Sequence, residues 1–183
     1  IEGDILADLS RELAPYADKL EAALLALGEL DYLICKAELA LEWDAVMPQV
    51  IQRAAGGALY LREAYHPIVR REVERRGGRF QPLTIELDEP VSVVTGPNMG
   101  GKTVSLETVG LCVALAQHGF LVPCAEMSFS PYDFIYFQPG APGKPGLSSF
   151  AEEILSLKAP LARRGQRGLI LLDEVGRGTN PSQ

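Results

Sequence analysis

No apolar run in the 183 residues approaches the roughly 18 that a membrane-spanning helix requires, which excludes an integral helical membrane protein. Cysteine is scarce. Cys35, Cys112 and Cys124 are far apart, odd in number and form no C-x-x-C pair. A disulfide scaffold or zinc ribbon is therefore not expected, and a reducing cytoplasm is the default compartment. Positive charge is also in deficit, with 17 Lys and Arg against 24 Asp and Glu, a net charge of −7. That balance argues against a chain whose whole surface grips nucleic acid. The opening Ile1-Glu2-Gly3-Asp4 is acidic where a secretory leader is basic, and no leader is expected.

What remains is an ordinary globular composition, 47% hydrophobic and 22% charged, with enough apolar surface to build a core. The acidity is uneven. Residues 1–60 carry eleven acidic and four basic side chains, whereas 61–89 carry six of each and 90–183 seven of each. A shift that sharp points to two structural units, drawn here as residues 1–57 and 58–183.

The first unit reads as helix. Ile5, Leu9, Leu13, Tyr16, Leu20, Leu24 and Leu27 recur at spacings of four, four, three, four, four and three, the face of a helix close to a coiled-coil seam. Pro15 should kink or divide it, and Gly28 marks a second break. A further helical pattern runs through Leu30, Leu33, Ile34, Ala37 and Leu41 and ends before Pro48. Two packed helices with an acidic outer face are predicted, with a partner-binding or lever role as the sharper alternative.

From Leu59 the period changes to two. Apolar runs at 59–61, 83–87, 91–95, 134–137 and 169–172 predict strands, and 104–117 and 149–162 predict helices. Runs apolar on both faces imply buried parallel strands in an α/β domain. The arginines of 62–79 are balanced by glutamates and read as a solvated helix or loop. The Pro-Gly repeat at 139–146 reads as a loop.

Two motifs carry chemistry. Gly96, Pro97, Asn98, Met99, Gly100, Gly101, Lys102 and Thr103 fit G-x-x-x-x-G-K-[ST], the Walker A phosphate loop. Glycines permit the tight turn that aims backbone N–H groups at a phosphate. The helix N-terminus and Lys102 add positive charge, and the Thr103 hydroxyl is placed to ligate Mg²⁺. Downstream, Leu169 to Leu172 form a buried strand that ends in Asp173-Glu174, at the end of the sheet where α/β proteins bind ligands. Asp173 can hold the magnesium shell, and Glu174 can orient or deprotonate a water for attack on the γ-phosphate. ATP and Mg²⁺ are the implied ligands, with Lys102 and Glu174 as catalytic candidates.

These motifs resemble one family closely. Thr95-Gly96-Pro97-Asn98-Met99-Gly100-Gly101-Lys102-Thr103 is similar to the Walker A segment of MutS proteins, T-G-P-N-M-G-G-K-[ST]. Asp173-Glu174-Val175-Gly176-Arg177-Gly178-Thr179 resembles their D-E-[IVL]-G-R-G-T. Leu147-Ser148-Ser149-Phe150 stands where the family has S-T-F. His66-Pro67, Phe80-Gln81-Pro82-Leu83 and Gln117 to Pro123 match shorter family segments. The resemblance covers about residues 59–183. It implies a P-loop ABC-type ATPase domain, incomplete at its C-terminal end and preceded by a helical segment from the MutS core. It also implies a homodimer joined through the ATPase domains, with DNA held mostly by parts of the parent protein outside this chain.

Carried over by residue, Asn98 contacts the γ-phosphate region, Phe80 stacks on adenine, and Ser148, with Ser149, is presented in trans to the partner's ATP. Residues 103–110 and Asn180-Pro181 lean towards the MutS branch linked to recombination control and ribosome rescue. Arg177 leans towards the mismatch-repair branch, and the branch stays open. The expected function is ATP binding and hydrolysis in a MutS-like protein that couples nucleotide state to recognition of a mismatch or DNA structure. The alternatives are a non-hydrolysing nucleotide- or partner-binding fragment, or an ABC-type ATPase of another DNA-maintenance or ribosome-rescue pathway.

Overall fold

The computed structural model describes residues 2–52, 59–97, 100–140 and 147–173, with side chains described from residue 154 in the last of these segments. The chain divides into two compact units, Ile1–Glu42 and Trp43–Gln183.

The first unit is helical. α1 (Glu2–Leu13) passes through a 3-10 turn at Ala14–Tyr16 into α2 (Ala17–Glu42). Pro15 interrupts the α-helix as its missing donor dictates, yet the flanking Leu13 and Ala17 keep right-handed helical dihedrals, so the chain does not fold back there. Gly28 does not break α2. A glycine in a helix costs roughly 1 kcal/mol in propensity but deletes no hydrogen bond. The packed pair of helices is not what forms either: neither helix buries a residue, and Leu9, Leu20, Leu24 and Leu27 are all more than half exposed.

The second unit holds two sheets. The larger has the order β1-β4-β2-β3, with β1 (Gln49–Val50), β2 (Leu59–Ala64), β3 (Leu83–Leu87) and β4 (Glu126–Phe129). β4 runs antiparallel to β2, and β2 to β3; only the short β1 lies parallel to β4. Trp43–Val50 therefore belongs with this unit by its contacts: Val46 bridges to Val122, and β1 completes the sheet edge. The smaller sheet pairs β5 (Phe134–Gln138) in parallel with β6 (Gly168–Leu172). α3 (Pro67–Arg75) follows β2, with Pro67 at its first turn, where a proline loses no helical hydrogen bond. α4 (Lys102–Gln117) and α5 (Leu147–Leu161) precede β4 and β6.

The architecture is thus mixed α/β, and only part of it is the all-parallel sheet that the apolar runs predicted. The run at 91–95 forms no strand: residues 91–97 are irregular chain, with Val91 80% and Val93 81% exposed. A strand apolar on both faces needs a hydrogen-bonded neighbour and a covering layer, and none of β1–β6 pairs with it.

The core unites β2, α4, β4 and β6. Leu59, Leu61, Val109, Cys112, Val113, Val122, Met127, Phe129, Leu169 and Leu171 form one cluster. Burial drives the Cys124 thiol up to about 11 and the Cys112 thiol higher still, so both stay protonated packing groups. Between β5 and β6, Phe134 lies opposite Gly168, and a Cβ built on that glycine would fall into the Phe134 ring. Gly168→Ala should therefore destabilise the chain by about 1–3 kcal/mol, the usual cost of overpacking. Urea denaturation measures it, and Phe134→Leu in the same chain should recover part of the loss. Unchanged stability of Gly168→Ala would show that the ring swings clear at no cost.

Candidate functional site

The phosphate-loop sequence folds as a turn feeding a helix. Gly100 N–H donates to Pro97 O at 3.0 Å, closing the turn. Gly101 caps α4 with φ +81°, a left-handed conformation that a side chain would oppose. α4 then starts at Lys102, and its unpaired N–H groups and positive dipole end face the loop. The Ser105 hydroxyl and N–H both donate to Gly101 O, at 2.9 and 2.8 Å, which fixes the first turn. The Lys102 ammonium folds onto its own loop, donating to Gly96 O at 2.8 Å and Pro97 O at 3.0 Å.

The second motif meets the first. Asp173 leaves the end of β6 with only 8% of its surface exposed, and its N–H donates to Gln138 O at 3.0 Å, extending the β5–β6 ladder. Its Oδ2 accepts a 2.6 Å hydrogen bond from the Thr103 hydroxyl, across 70 residues of sequence. A hydroxyl and a carboxylate, both hard oxygen donors, thereby share one point in the first turn of α4, the helix that Lys102 opens. This is chemistry suited to a phosphate and a small divalent cation.

Other predicted residues stand apart or outside. Phe80 lines a cleft of about 460 Å³ with Tyr65, Arg70, Glu74, Arg79 and Pro82, and none of the described residues among 96–103 lines that cleft. Ser148 and Ser149 fall in the first turn of α5, but their side chains lie outside the described part. Asn98, Met99 and Glu174 lie outside the described residues, as does most of the Pro-Gly loop. On α3 and at its end the arginines are matched by acids three or four residues away, Arg70 with Glu74 and Arg75 and Arg76 with Glu72, whereas Arg62 pairs across the sheet with Glu126.

Gln138 escaped the sequence reading. It ends β5 beside Asp173, and its Oε1 accepts from Ser156 of α5 at 3.0 Å and from the Tyr136 hydroxyl at 3.2 Å. The available signal was its place as the first polar residue after the apolar run of a parallel strand, at the strand end where such sheets present ligand-binding groups.

A mixed α/β unit that brings a phosphate-loop threonine onto the acid at a strand end belongs to a definable class. Residues 92–183 match the family description MutS domain V. The chain is a member of the MutS family. Proteins named Endonuclease MutS2 are similar to it across nearly its whole length. That of Carboxydothermus hydrogenoformans is 33% identical over 98% of this chain, that of Pediococcus pentosaceus 35% over 100%, and that of Pelotomaculum thermopropionicum 35% over 98%. The chain spans only 22–23% of the length of these relatives.

The Thr103–Asp173 contact generates a test. Thr103→Val deletes the donor and leaves a mostly buried carboxylate without its hydrogen bond, so stability should fall by about 1–3 kcal/mol. Thr103→Ser should retain most of it. Urea midpoints of the three proteins decide this, and a larger loss in Thr103→Ser than in Thr103→Val would assign the effect to the threonine methyl instead.

Proposed function

We propose that this chain carries the nucleotide-binding half-site of a MutS2-like ATPase, in which ATP and Mg²⁺ bind at the N-terminus of α4. The observation that carries the reading is the 2.6 Å approach of Thr103 to Asp173, which joins the two motifs that such a site requires. The residues present fit the ligands. Gly96 to Thr103 supply N–H groups and a cation for the phosphates, and Thr103 and Asp173 supply oxygens for magnesium. A bound magnesium would neutralise charge that develops on the phosphate oxygens. Glu174, next in sequence to Asp173, is proposed as the base that orients or deprotonates the attacking water, and Phe80 as the ring that stacks on adenine.

The MutS2 side of the family is favoured by relatives of that name over nearly the entire chain, together with residues 103–110 and Asn180-Pro181. Hydrolysis, DNA recognition and pairing of ATPase domains are proposed for the parent protein. Ser148 is proposed to reach the ATP of the partner. Among the described residues no helix is long and apolar enough to cross a membrane.

Lys102→Ala should abolish ATP binding while leaving the fold intact, because among the described residues the ammonium bonds to carbonyls of its own exposed loop. Titration with a fluorescent ATP analogue measures this, and unchanged affinity would refute the site. The division between subunits has its own test in the full-length parent. Ser148→Arg and Lys102→Ala subunits, each inactive alone, should regain activity when mixed, since one composite site of the heterodimer carries both lesions and the other neither. A confirmed heterodimer with no activity would remove Ser148 from a trans role.

A further inference from the structure

The acidic balance of the chain conceals one segment of opposite sign. Residues 154–172 contain Lys158, Arg163, Arg164 and Arg167 and no carboxylate. The three arginines surround the turn between α5 and β6, where Gly165 takes φ +79° and brings the chain round to the start of the strand. Because β5 and β6 are parallel, this turn faces the segment that enters β5, Ser130 to Phe134. The two segments are locked together. Asp133 N–H donates to Arg167 O at 2.7 Å, and Arg167 N–H donates to Asp133 Oδ2 at 2.5 Å.

Two guanidinium groups rest on aromatic rings there. Arg163 lies over Phe134, 4.6 Å from its centroid, and Arg167 over Tyr132 at 4.4 Å. Phe134 in turn lies against the bare backbone of Gly168. Arg167 is tied down by bonds from Nη1 to the Ser130 hydroxyl and to Pro131 O, while its Nη2 is buried without an acceptor. It is a positioning residue that holds positive charge at this end of the sheet. Arg163 and Arg164 are exposed and form no ion pair among the described residues. The arginines near α3 differ, for Arg70 pairs with Glu74, and Arg75 and Arg76 share Glu72. Asp133 is the acid that faces the patch, and its carboxylate is occupied by the Arg167 N–H.

The geometry points to a binding site for a single-stranded nucleic acid at this turn, with Arg163 and Arg164 gripping phosphodiester groups beside the Tyr132 and Phe134 rings. Guanidinium groups set over aromatic rings place positive charge for phosphate oxygens beside planar side chains of the kind that single-stranded nucleic-acid sites use. Charge complementarity commits the site to a polyanion, and the aromatic rings beside the arginines favour a strand with accessible bases over a duplex. The site lies at the opposite end of β6 from Asp173, about 16 Å along a five-residue strand. It is therefore separate from the nucleotide site, and the inference stands or falls independently of it.

The test uses the whole chain and fluorescein-labelled dT20 and rU20, followed by anisotropy between 50 and 150 mM salt. Salt-dependent, micromolar binding of one or both strands is expected, undisturbed by excess Mg–ATP. A dT20 or rU20 preference would identify whether the site takes a DNA or an RNA strand. Arg163→Glu with Arg164→Glu should weaken binding at least about tenfold, and Arg163→Gln with Arg164→Gln should lower the salt slope by about 1.4, the share of two single-strand phosphate contacts. Far-UV circular dichroism checks that the variants fold, and the Gln pair decides the matter if the Glu pair does not. Unchanged affinity in the folded Gln pair overturns the proposal. So does tighter binding to a duplex of equal length, displacement by Mg–ATP, or equal competition by polyglutamate.

Discussion

Everything that assembles the site depends on how closely α4 can approach β6. Gly110 provides that approach, since a Cβ there would stand 2.9 Å from a methyl of the buried Leu171. Seven residues before Gly110, two helical turns along the same face, lies Thr103. Two residues after Leu171, on the same side of the strand, lies Asp173. The helix period and the strand period are therefore in phase, and the packing contact at Gly110 and Leu171 aligns the hydrogen bond between Thr103 and Asp173. Val109, Cys112 and Val113 anchor the same helix in the cluster that also contains β2 and β4. The larger sheet and its core thus act as a mount for a polar contact made elsewhere on α4.

Charge is sorted by the same elements. The arginines of α3 sit three or four residues from glutamates on one helix, where exposed pairs contribute little stability but neutralise each other's field. The arginines after α5 have no such neighbours, and two of them lie on aromatic rings instead. Pairing on a helix yields a bland surface, whereas cations gathered at one turn yield local positive potential on a chain of net charge −7. Net charge therefore predicts weak affinity for polyanions over the whole surface without describing any single patch.

The sequence was legible where a local rule and the tertiary setting agree. The turn closed by Gly100, the start of α4 after Gly101, and the strands at 83–87 and 134–137 follow from turn chemistry and apolar period alone. Pro15 interrupts the helix because it removes a donor, and Gly28 does not because it removes none. Legibility ended where the outcome depends on partners in space. The run at 91–95 has strand composition, but a strand is defined by its ladder, and no described strand supplies one. β1 and β4 are too short and too mixed in polarity to announce themselves, and they exist because they pair with each other and with β2. The direction of β2, β3 and β4 was equally hidden, since alternation reveals which face is buried and not which way the neighbour runs. Gln138 was hidden for a related reason: its meaning comes from Asp173 on the adjacent strand.

Lys102 shows what an assembled loop still has to exchange. Its ammonium already has two acceptors, Gly96 O and Pro97 O, so a phosphate gains the cation only by replacing or joining these bonds. The net contribution of Lys102 to binding is the difference between a charge-assisted bond to a phosphate oxygen and the bonds to carbonyls that it relinquishes. Charge-assisted bonds are about twice as strong as neutral ones, and a phosphate adds full negative charge, so the exchange favours the ligand. The carbonyls released at Gly96 and Pro97 are in an exposed part of the loop, where water can take the place of the ammonium. The same bonds that close the loop on itself can then be surrendered at low cost, while the Thr103–Asp173 contact is made by elements packed into the buried core.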